Sequence, residues 1–269
     1  MGRVIVITSG KGGVGKSTCV ANIGTALALS NKKVAVVDAD IGLRNLDVIM
    51  GLESRVVYTS MDVIDGSSTL ERALVKDRRV ENLKLLAASQ RNNKNDVEPE
   101  QMRDMCLKLK EENDYVLVDS PAGIEQGFRN AASAAEEALV VTTPEVSAVR
   151  DADRIIGLLQ SEEIHKIDLI INRLNPKMVA KGDMLDSEDV LDILSINLIG
   201  VIPEDSNIVG STNRGRPLIH DSKTGAAGAY RRISDRIEGK EVPIPEFKVD
   251  GTFARFWGKL LGKRDGEIS

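Results

Sequence analysis

The chain has few cysteines, few aromatic residues and no long apolar run. Its 269 residues include two cysteines, and only 3% of the residues are aromatic. Cys19 and Cys106 are too few and too far apart for a disulfide framework or a Cys-x-x-Cys metal site, which indicates a reducing compartment. The apolar run at residues 4–7 is too short for a secretory signal, and no stretch approaches the roughly 20 apolar residues that cross a bilayer. We therefore expect a cytoplasmic protein, or its equivalent inside an organelle.

The sequence also lacks an excess of basic charge. Lysine and arginine number 36 against 41 aspartates and glutamates, which gives a net charge of −5. A chain of this charge is not built to coat nucleic acid or an anionic membrane, so any such binding requires a local patch. With 42% hydrophobic and 29% charged residues, the composition is that of a folded protein and excludes disordered and collagen-like classes.

Short apolar runs alternate along the chain with stretches of helical spacing. Buried parallel strands are predicted at residues 4–7, 34–37, 83–87, 115–118, 139–141, 167–171 and 198–202. Helices are predicted between them at residues 17–29, 98–109, 146–159, 187–194 and 224–237. This alternation indicates an α/β fold with a doubly wound, mostly parallel sheet and helices on both faces.

The composition changes near residue 239, where two prolines two positions apart break any helix. We therefore predict a globular domain at residues 1–238, a linker at 239–251 and a separate tail at 252–269.

A glycine-rich loop follows the first predicted strand and leads directly into the first predicted helix. Residues 10–18 read Gly-Lys-Gly-Gly-Val-Gly-Lys-Ser-Thr and satisfy the phosphate-loop pattern GxxxxGK[ST]. Such a loop turns its backbone N–H groups toward a phosphate, while Lys16 offsets the charge of the β and γ oxygens and Ser17 offers a hydroxyl to Mg²⁺. The alternative is a glycine-rich turn without a ligand. The pattern favours ATP and Mg²⁺, with nucleotide contacts from Gly12, Gly13, Val14, Gly15, Lys16, Ser17 and Thr18.

Acidic residues end two of the predicted strands, at the sheet edge where ligands bind in open α/β folds. Asp38 and Asp40 follow residues 34–37, and Asp119 follows residues 115–118. Asp119 is therefore the candidate Mg²⁺ ligand beside Ser17. The alternative is that these acids are solvated or cap a turn.

A second lysine, Lys11, opens the same loop, where a generic phosphate loop does not need it. With this lysine the loop resembles that of the ParA/MinD superfamily of ATPases. The resemblance implies that Lys11 reaches the nucleotide of a partner subunit in an ATP-dependent homodimer, and that Asp40 orients the attacking water. It also implies adenine contacts from Asn172, Pro203 and Asp205. A solvated lysine and loop-capping polar residues are the alternatives.

Further stretches, spread over essentially the whole chain, are similar to the MinD branch of this superfamily. They lie at residues 38–47, 55–58, 119–125, 144–154, 182–185 and 200–205. This resemblance implies a membrane-associated ATPase that helps to position the division septum. It also implies a septum inhibitor and a topological regulator as partners (MinC-like and MinE-like), which would meet the dimer-edge surface at residues 145–154.

The tail combines a basic and an apolar character. Its large apolar residues have the spacing of one helix face; they are Phe253, Phe256, Trp257, Leu260 and Leu261. Its four basic residues, which leave the rest of the chain at −9, are Arg255, Lys259, Lys263 and Arg264. This pattern indicates a helix that binds an anionic membrane surface rather than a specific nucleic acid. The alternatives are a terminal helix that docks on the protein's own core and one buried in an oligomer.

The leading hypothesis is thus an ATPase that works as a dimerising, membrane-associating switch, peripheral on the inner face of the cell membrane. If the chain is encoded by a plastid, the equivalent place is the stroma and the inner envelope. A partition ATPase of the ParA type is an alternative, although it would need a basic surface on the globular body. An ATP-gated scaffold with a protein-docking tail is another. An iron–sulfur reductase is excluded because it needs paired cysteines at a dimer axis.

Overall fold

A computed structural model describes residues 2–93, 96–221 and 225–245. The strands in chain order are β1 Arg3–Thr8, β2 Val34–Asp38, β3 Val75–Lys76, β4 Leu83–Leu86, β5 Tyr115–Asp119, β6 Glu137–Thr142, β7 Lys166–Leu174 and β8 Asn197–Pro203. The helices are α1 Lys16–Leu29, α2 Leu46–Met50, α3 Ser60–Ile64, α4 Leu70–Ala73, α5 Pro99–Glu112, α6 Gln126–Ala132, α7 Val146–Ser161, α8 Pro176–Lys181, α9 Ser187–Leu194, α10 Asn207–Asn213 and α11 Gly225–Ile237. In the part of the chain described in full, 3₁₀ turns also lie at Glu53–Arg55 and Leu218–His220.

The strands form one sheet in the order β3-β4-β2-β5-β1-β6-β7-β8. All pairs are parallel except β3 with β4 at one edge. The predicted doubly wound, mostly parallel α/β fold is therefore confirmed. The first strand lies between β5 and β6, so the loop that follows it emerges near the middle of the sheet, beside the end of β5.

Two hydrophobic clusters cover the two faces of the sheet. In β1, Ile5 and Ile7 point to the cluster that includes α1 and α11. Val4 and Val6 point to the cluster that includes α5, α6 and α7. Strands buried on both faces are apolar at consecutive positions, which is why these strands could be predicted from the sequence.

The elements that the sequence did not predict are short. The strand β3 has two residues, and α2, α3, α4, α6, α8 and α10 have four to seven each. Segments of this length do not complete two helical turns, so they leave no periodic signal. The predicted helix at 187–194 matches α9, and α11 ends at Ile237 as predicted.

The two cysteines lie on opposite faces of the sheet, both fully buried and free. Burial raises the pKa of each thiol to about 12, so both act as small apolar residues.

The chain remains attached to the body beyond α11. The Arg236 guanidinium donates to the carbonyl oxygens of Ile199, Val242 and Pro243 at 2.7 Å each. Ile244 is partly buried against the cluster on the α5 face. The boundary proposed at residue 238 stays a prediction.

Candidate functional site

The glycine-rich loop joins the end of β1 to the start of α1. Gly13 and Gly15 have φ values of 79° and 99°, a backbone region that side chains with a Cβ rarely adopt. A Cβ at Gly15 would lie 2.4 Å from the side-chain amide nitrogen of Asn172, and a Cβ at Gly10 would lie 2.3 Å from the backbone carbonyl oxygen of Asp151. The glycines are therefore required both by the turn and by the close approach of neighbouring elements.

Lys16, the first residue of α1, lies inward and is 8% exposed. Burial lowers its pKa, while the nearby carboxylates of Asp119 and Asp40 act in the opposite direction. The predicted phosphate-binding lysine and two of the predicted acids are thus brought together.

The two strand-end acids lie side by side. Asp38 and Asp119 are register partners on β2 and β5 and are 1% and 2% exposed. Burial and the charge of Asp38 together raise the pKa of Asp119 to about 8, although Ser17 and Lys16 act in the opposite direction. Burial also raises the pKa of Asp38, to about 6. Two like charges this close and this buried need a counter-charge.

The Asp119 carboxylate has capacity for such a counter-charge. Its Oδ1 atom is buried and has no hydrogen-bond partner among the residues that the structure describes. Across those residues, no group of three or more His, Cys, Asp or Glu side chains could hold a metal ion by itself. One carboxylate and one hydroxyl suit Mg²⁺, which usually keeps waters and takes further oxygens from substrate phosphates. Asp119 and Ser17 therefore fit the ion that the sequence predicted.

Asp38 holds the loop that carries Asp40. Its Oδ1 accepts from the Asp40 N–H at 3.0 Å, and its Oδ2 accepts from the N–H groups of Asn45 and Leu46 at 3.1 Å each. Asp40 itself is half-buried, and its charge acts on Lys16, Asp38 and Asp119. Asp38 was predicted only as an acid at the ligand-binding edge of the sheet, without this supporting role. The Asp-x-Asp spacing was the available signal, because an Asp side chain often bonds backbone N–H groups two residues on.

Lys11 lies apart from this cluster. Its Nζ is 3.6 Å from a Glu145 carboxylate oxygen and 3.4 Å from the Ser147 hydroxyl, at the start of α7. Both charged side chains are about half exposed, at 47% and 57%. Within one chain, Lys11 therefore faces the predicted dimer-edge segment at residues 145–154.

The predicted adenine contacts come from the ends of β7 and β8. Asn172 is 2% exposed, and its amide donates to the Val14 carbonyl oxygen at 2.7 Å. Asp205 accepts from the backbone and amide nitrogens of Asn207 at 3.0 and 2.9 Å, and from the Ala226 N–H at 3.3 Å. Asn172 thus borders the phosphate loop, whereas Asp205, following Pro203, holds the starts of α10 and α11. Their contact with adenine stays a prediction.

The predicted membrane-binding residues, from Phe253 to Arg264, lie outside the residues that the structure describes. Among the described helices, none is both long and apolar enough to cross a membrane.

Comparison with known proteins places this site in a family. The model of the CobQ/CobB/MinD/ParA nucleotide-binding domain matches residues 5–218. A septum site-determining protein MinD from Synechocystis is 53% identical over 265 residues, which cover 97% of this chain and 100% of that protein.

Solved structures agree with the sequence comparison. The MinC:MinD cell division complex of Aquifex aeolicus matches with a TM-score of 0.85 and 49% identity over 91% of this chain and 100% of that one. MinD of Pyrococcus horikoshii, complexed with Mg-ADP, matches with a TM-score of 0.80 and 30% identity over 88% of this chain and 96% of that one. The matched family model, the near-complete coverage and the identities together show that the chain belongs to the MinD family of septum site-determining proteins, within the MinD/ParA nucleotide-binding proteins.

Proposed function

We propose that this chain is a Mg²⁺-dependent ATPase that dimerises with ATP, attaches to an anionic membrane and helps to position the division septum. The observation that carries the chemical part is the buried Asp119 carboxylate, with one unpartnered oxygen, beside Ser17 and Lys16 at the end of the glycine loop. The Mg-ADP in the Pyrococcus horikoshii relative supports the same ligand.

Ser17 and Asp119 are the residues that would hold Mg²⁺. When bound, the ion supplies positive charge to the phosphate oxygens and to the buried carboxylates. Lys16 is positioned at the start of α1 to offset charge that develops between the β and γ phosphates. The buried setting strengthens these interactions because little water screens them.

Asp40 is the residue proposed to orient the attacking water. Asp38 supports it by holding the backbone N–H of Asp40 and the start of α2. A residue fixed in this way loses little entropy when it aligns a water molecule, which is the main contribution of positioning groups in phosphoryl transfer.

Lys11 is proposed to act across the dimer. Its ion pair with Glu145 spans 3.6 Å at the surface, and exposed pairs of this kind contribute only about 0–1 kcal/mol. Exchanging Glu145 for the phosphates of a partner subunit's nucleotide therefore costs little. Asn172, Pro203 and Asp205 are proposed to recognise adenine.

Membrane attachment is proposed to depend on the dimer. At about 1 kcal/mol for each basic residue near an anionic surface, the four charges of one tail supply about 4 kcal/mol, equivalent to a millimolar dissociation constant. A dimer presents two tails, and linked binding of this kind raises avidity by about 10² to 10⁴. ATP would then recruit the protein to the membrane, and hydrolysis would release it.

The proposed partners follow from the family. A septum inhibitor related to MinC is supported by the Aquifex aeolicus MinC:MinD complex, and a MinE-like topological regulator is proposed by analogy. The proposed location is the inner face of the cell membrane, or the stroma and inner envelope of a plastid.

The test is sedimentation of the full chain with anionic vesicles in ATP, ADP and no nucleotide, with ATPase rates measured in parallel. We expect pelleting in ATP only, together with faster hydrolysis when vesicles are present. Equal pelleting in all three states would reject the switch even if the tail bound lipid.

A further inference from the structure

A groove of about 560 Å³ lies between α5 and the α3–α4 segment, away from the nucleotide site. Its volume falls within the range of about 300–1,000 Å³ found for ligand pockets. The apolar side chains that line it are Val63, Ile64, Leu70, Leu74, Met105 and Leu109. We call this feature the α5 groove.

The rim of the α5 groove is acidic. Four carboxylates and one lysine line it, namely Glu71, Asp104, Glu111, Glu112 and Lys108. Glu112 is 3.8 Å from Lys84, and hydrogen bonds from its own backbone and Thr69, then the charge of Lys108, lower the pKa of Glu71. Among the described residues, Asp104 and Glu111 have no cation within salt-bridge distance. The groove therefore combines an apolar floor with unneutralised negative charge.

The tail has the complementary pattern. Its five large apolar residues have the sequence spacing of one helix face, and residues 253–264 carry four basic side chains and no acid. An apolar stripe flanked by cations matches an apolar groove flanked by carboxylates in both character and sign.

The chain is also long enough to bring the two together. Ile244 packs on the α5 face of the sheet, and Arg236 ties the chain near the start of β8. The strand order places β5, which contacts α5, four strands from β8, or about 19 Å at a spacing of about 4.8 Å. The seven residues 246–252 can span about 23 Å when extended. Because α5 ends at Glu112 just before β5 begins, the carboxylates at its end lie at the same strand edge as the start of β8.

We propose that residues 253–264 dock into the α5 groove of their own chain when the protein is off the membrane. The groove and an anionic membrane then compete for the same apolar face and the same four cations. This inference rests on the proposed function only for the membrane as competitor. Docking would be a second control of membrane attachment, in addition to dimer avidity, because a docked tail cannot bind the membrane surface.

The size of the effect follows from the docked population. If about 90% of tails are docked, the apparent membrane affinity of a single chain falls about tenfold. In ADP, where dimer avidity does not contribute to binding, a variant that cannot dock should bind the membrane about tenfold more tightly.

Trp257 allows docking to be measured directly because it is the single tryptophan of the chain. In ADP without vesicles, we expect its emission in the full-length protein to be blue-shifted from that of N-acetyltryptophanamide and protected from acrylamide. Asp104→Lys/Glu111→Lys should restore an exposed spectrum. Glu162→Lys/Asp192→Lys is the matched control, since it changes the net charge equally at exposed positions outside the groove, and it should behave as the wild type.

The outcomes separate the alternatives. An exposed Trp257 spectrum in the wild type, or identical spectra for the two double variants, would overturn the proposal. A blue shift that grows with protein concentration would overturn it in favour of docking on a second copy. With anionic vesicles in ADP, the groove variant should bind up to about tenfold more tightly than the control variant. Absence of ATP-dependent pelleting would reject the proposed membrane switch. The Trp257 spectra recorded without vesicles would still decide whether the tail docks.

Discussion

Asp119→Asn should stabilise the nucleotide-free protein while impairing its use of Mg²⁺. The Asp119 carboxylate is buried next to Asp38, and one of its oxygens has no hydrogen-bond partner among the described residues. An amide is neutral at every pH, so the variant avoids the proton uptake that burial and the charge of Asp38 impose on this carboxyl when the chain folds. A site that destabilises the empty protein is expected where a ligand is to bind.

The magnitude follows from the pKa. The usual pKa of an aspartate is about 3.9, whereas burial and the charge of Asp38 raise that of Asp119 to about 8. The folded chain therefore holds a proton that the unfolded chain releases, and stability falls as pH rises through this interval. At about 1.4 kcal/mol per pH unit the upper limit at pH 7 is about 4 kcal/mol. The new amide needs its own partners, so we expect a gain of about 1–3 kcal/mol.

The assay is thermal unfolding between pH 4 and pH 8 in EDTA, followed by the same series with Mg·ADP. For a chain of this size about 1–3 kcal/mol corresponds to a rise in Tm of about 2–6 °C. The difference between variant and wild type should be small near pH 4 and should grow toward pH 8. Mg·ADP should stabilise the wild type more than the variant, because the variant lacks the proposed metal ligand.

Asp38→Asn is the matched control for this argument. Asp38 is equally buried, but both of its carboxylate oxygens accept backbone N–H groups. An amide replaces one acceptor with a donor, so this variant should lose about 1–3 kcal/mol. A pH-independent difference for Asp119→Asn, or a less stable apo variant, would refute the role assigned to burial and repulsion.

Four further changes test the remaining assignments. Lys16→Ala should abolish tight ATP binding, and wild-type affinity by calorimetry would contradict its role at the phosphates. Asp40→Ala should bind ATP and dimerise but hydrolyse far more slowly, so a wild-type turnover would assign Asp40 a structural role instead. Lys11→Ala should keep near-normal nucleotide affinity and lose ATP-dependent dimers, which light scattering can detect; a normal dimer would remove its action in trans. Trp257→Glu should prevent vesicle attachment at any salt, whereas added salt should weaken wild-type attachment progressively; salt-independent sedimentation of the wild type would contradict the electrostatic part.

The sequence by itself determined the fold class and located the glycine-rich loop from which the phosphate site is proposed. Runs such as residues 34–37 and 115–118 are apolar at every position. This pattern is typical of strands that are covered on both faces, so the parallel sheet could be predicted from short segments of sequence. The glycine loop could also be predicted from the sequence, because its backbone geometry depends on residues that are adjacent in the chain.

Short elements were not readable, because their stability comes from contacts distant in sequence. The C-terminal cap of α2, Gly51, approaches Gly215 so closely that a Cβ on Gly51 would lie 2.3 Å from the Gly215 carbonyl oxygen. Arg79 adds hydrogen bonds to the Met50 and Gly215 carbonyl oxygens at 3.4 and 2.8 Å. Helices of about one turn do not form from local propensity alone, so only this packing decides them.

The tertiary structure also decided which polar residues work together. Asp38 and Asp119 are 81 residues apart in sequence and neighbours in the sheet, and their raised pKa values exist only because folding buries both. Asn172 reaches the Val14 carbonyl oxygen because β7 and the glycine loop end at the same edge. The α5 groove combines α5 with the α3–α4 segment, which follows a different strand. The chemical groups could thus be predicted from local sequence patterns, whereas the order of the strands decided the distances between these groups, their burial and their pKa values.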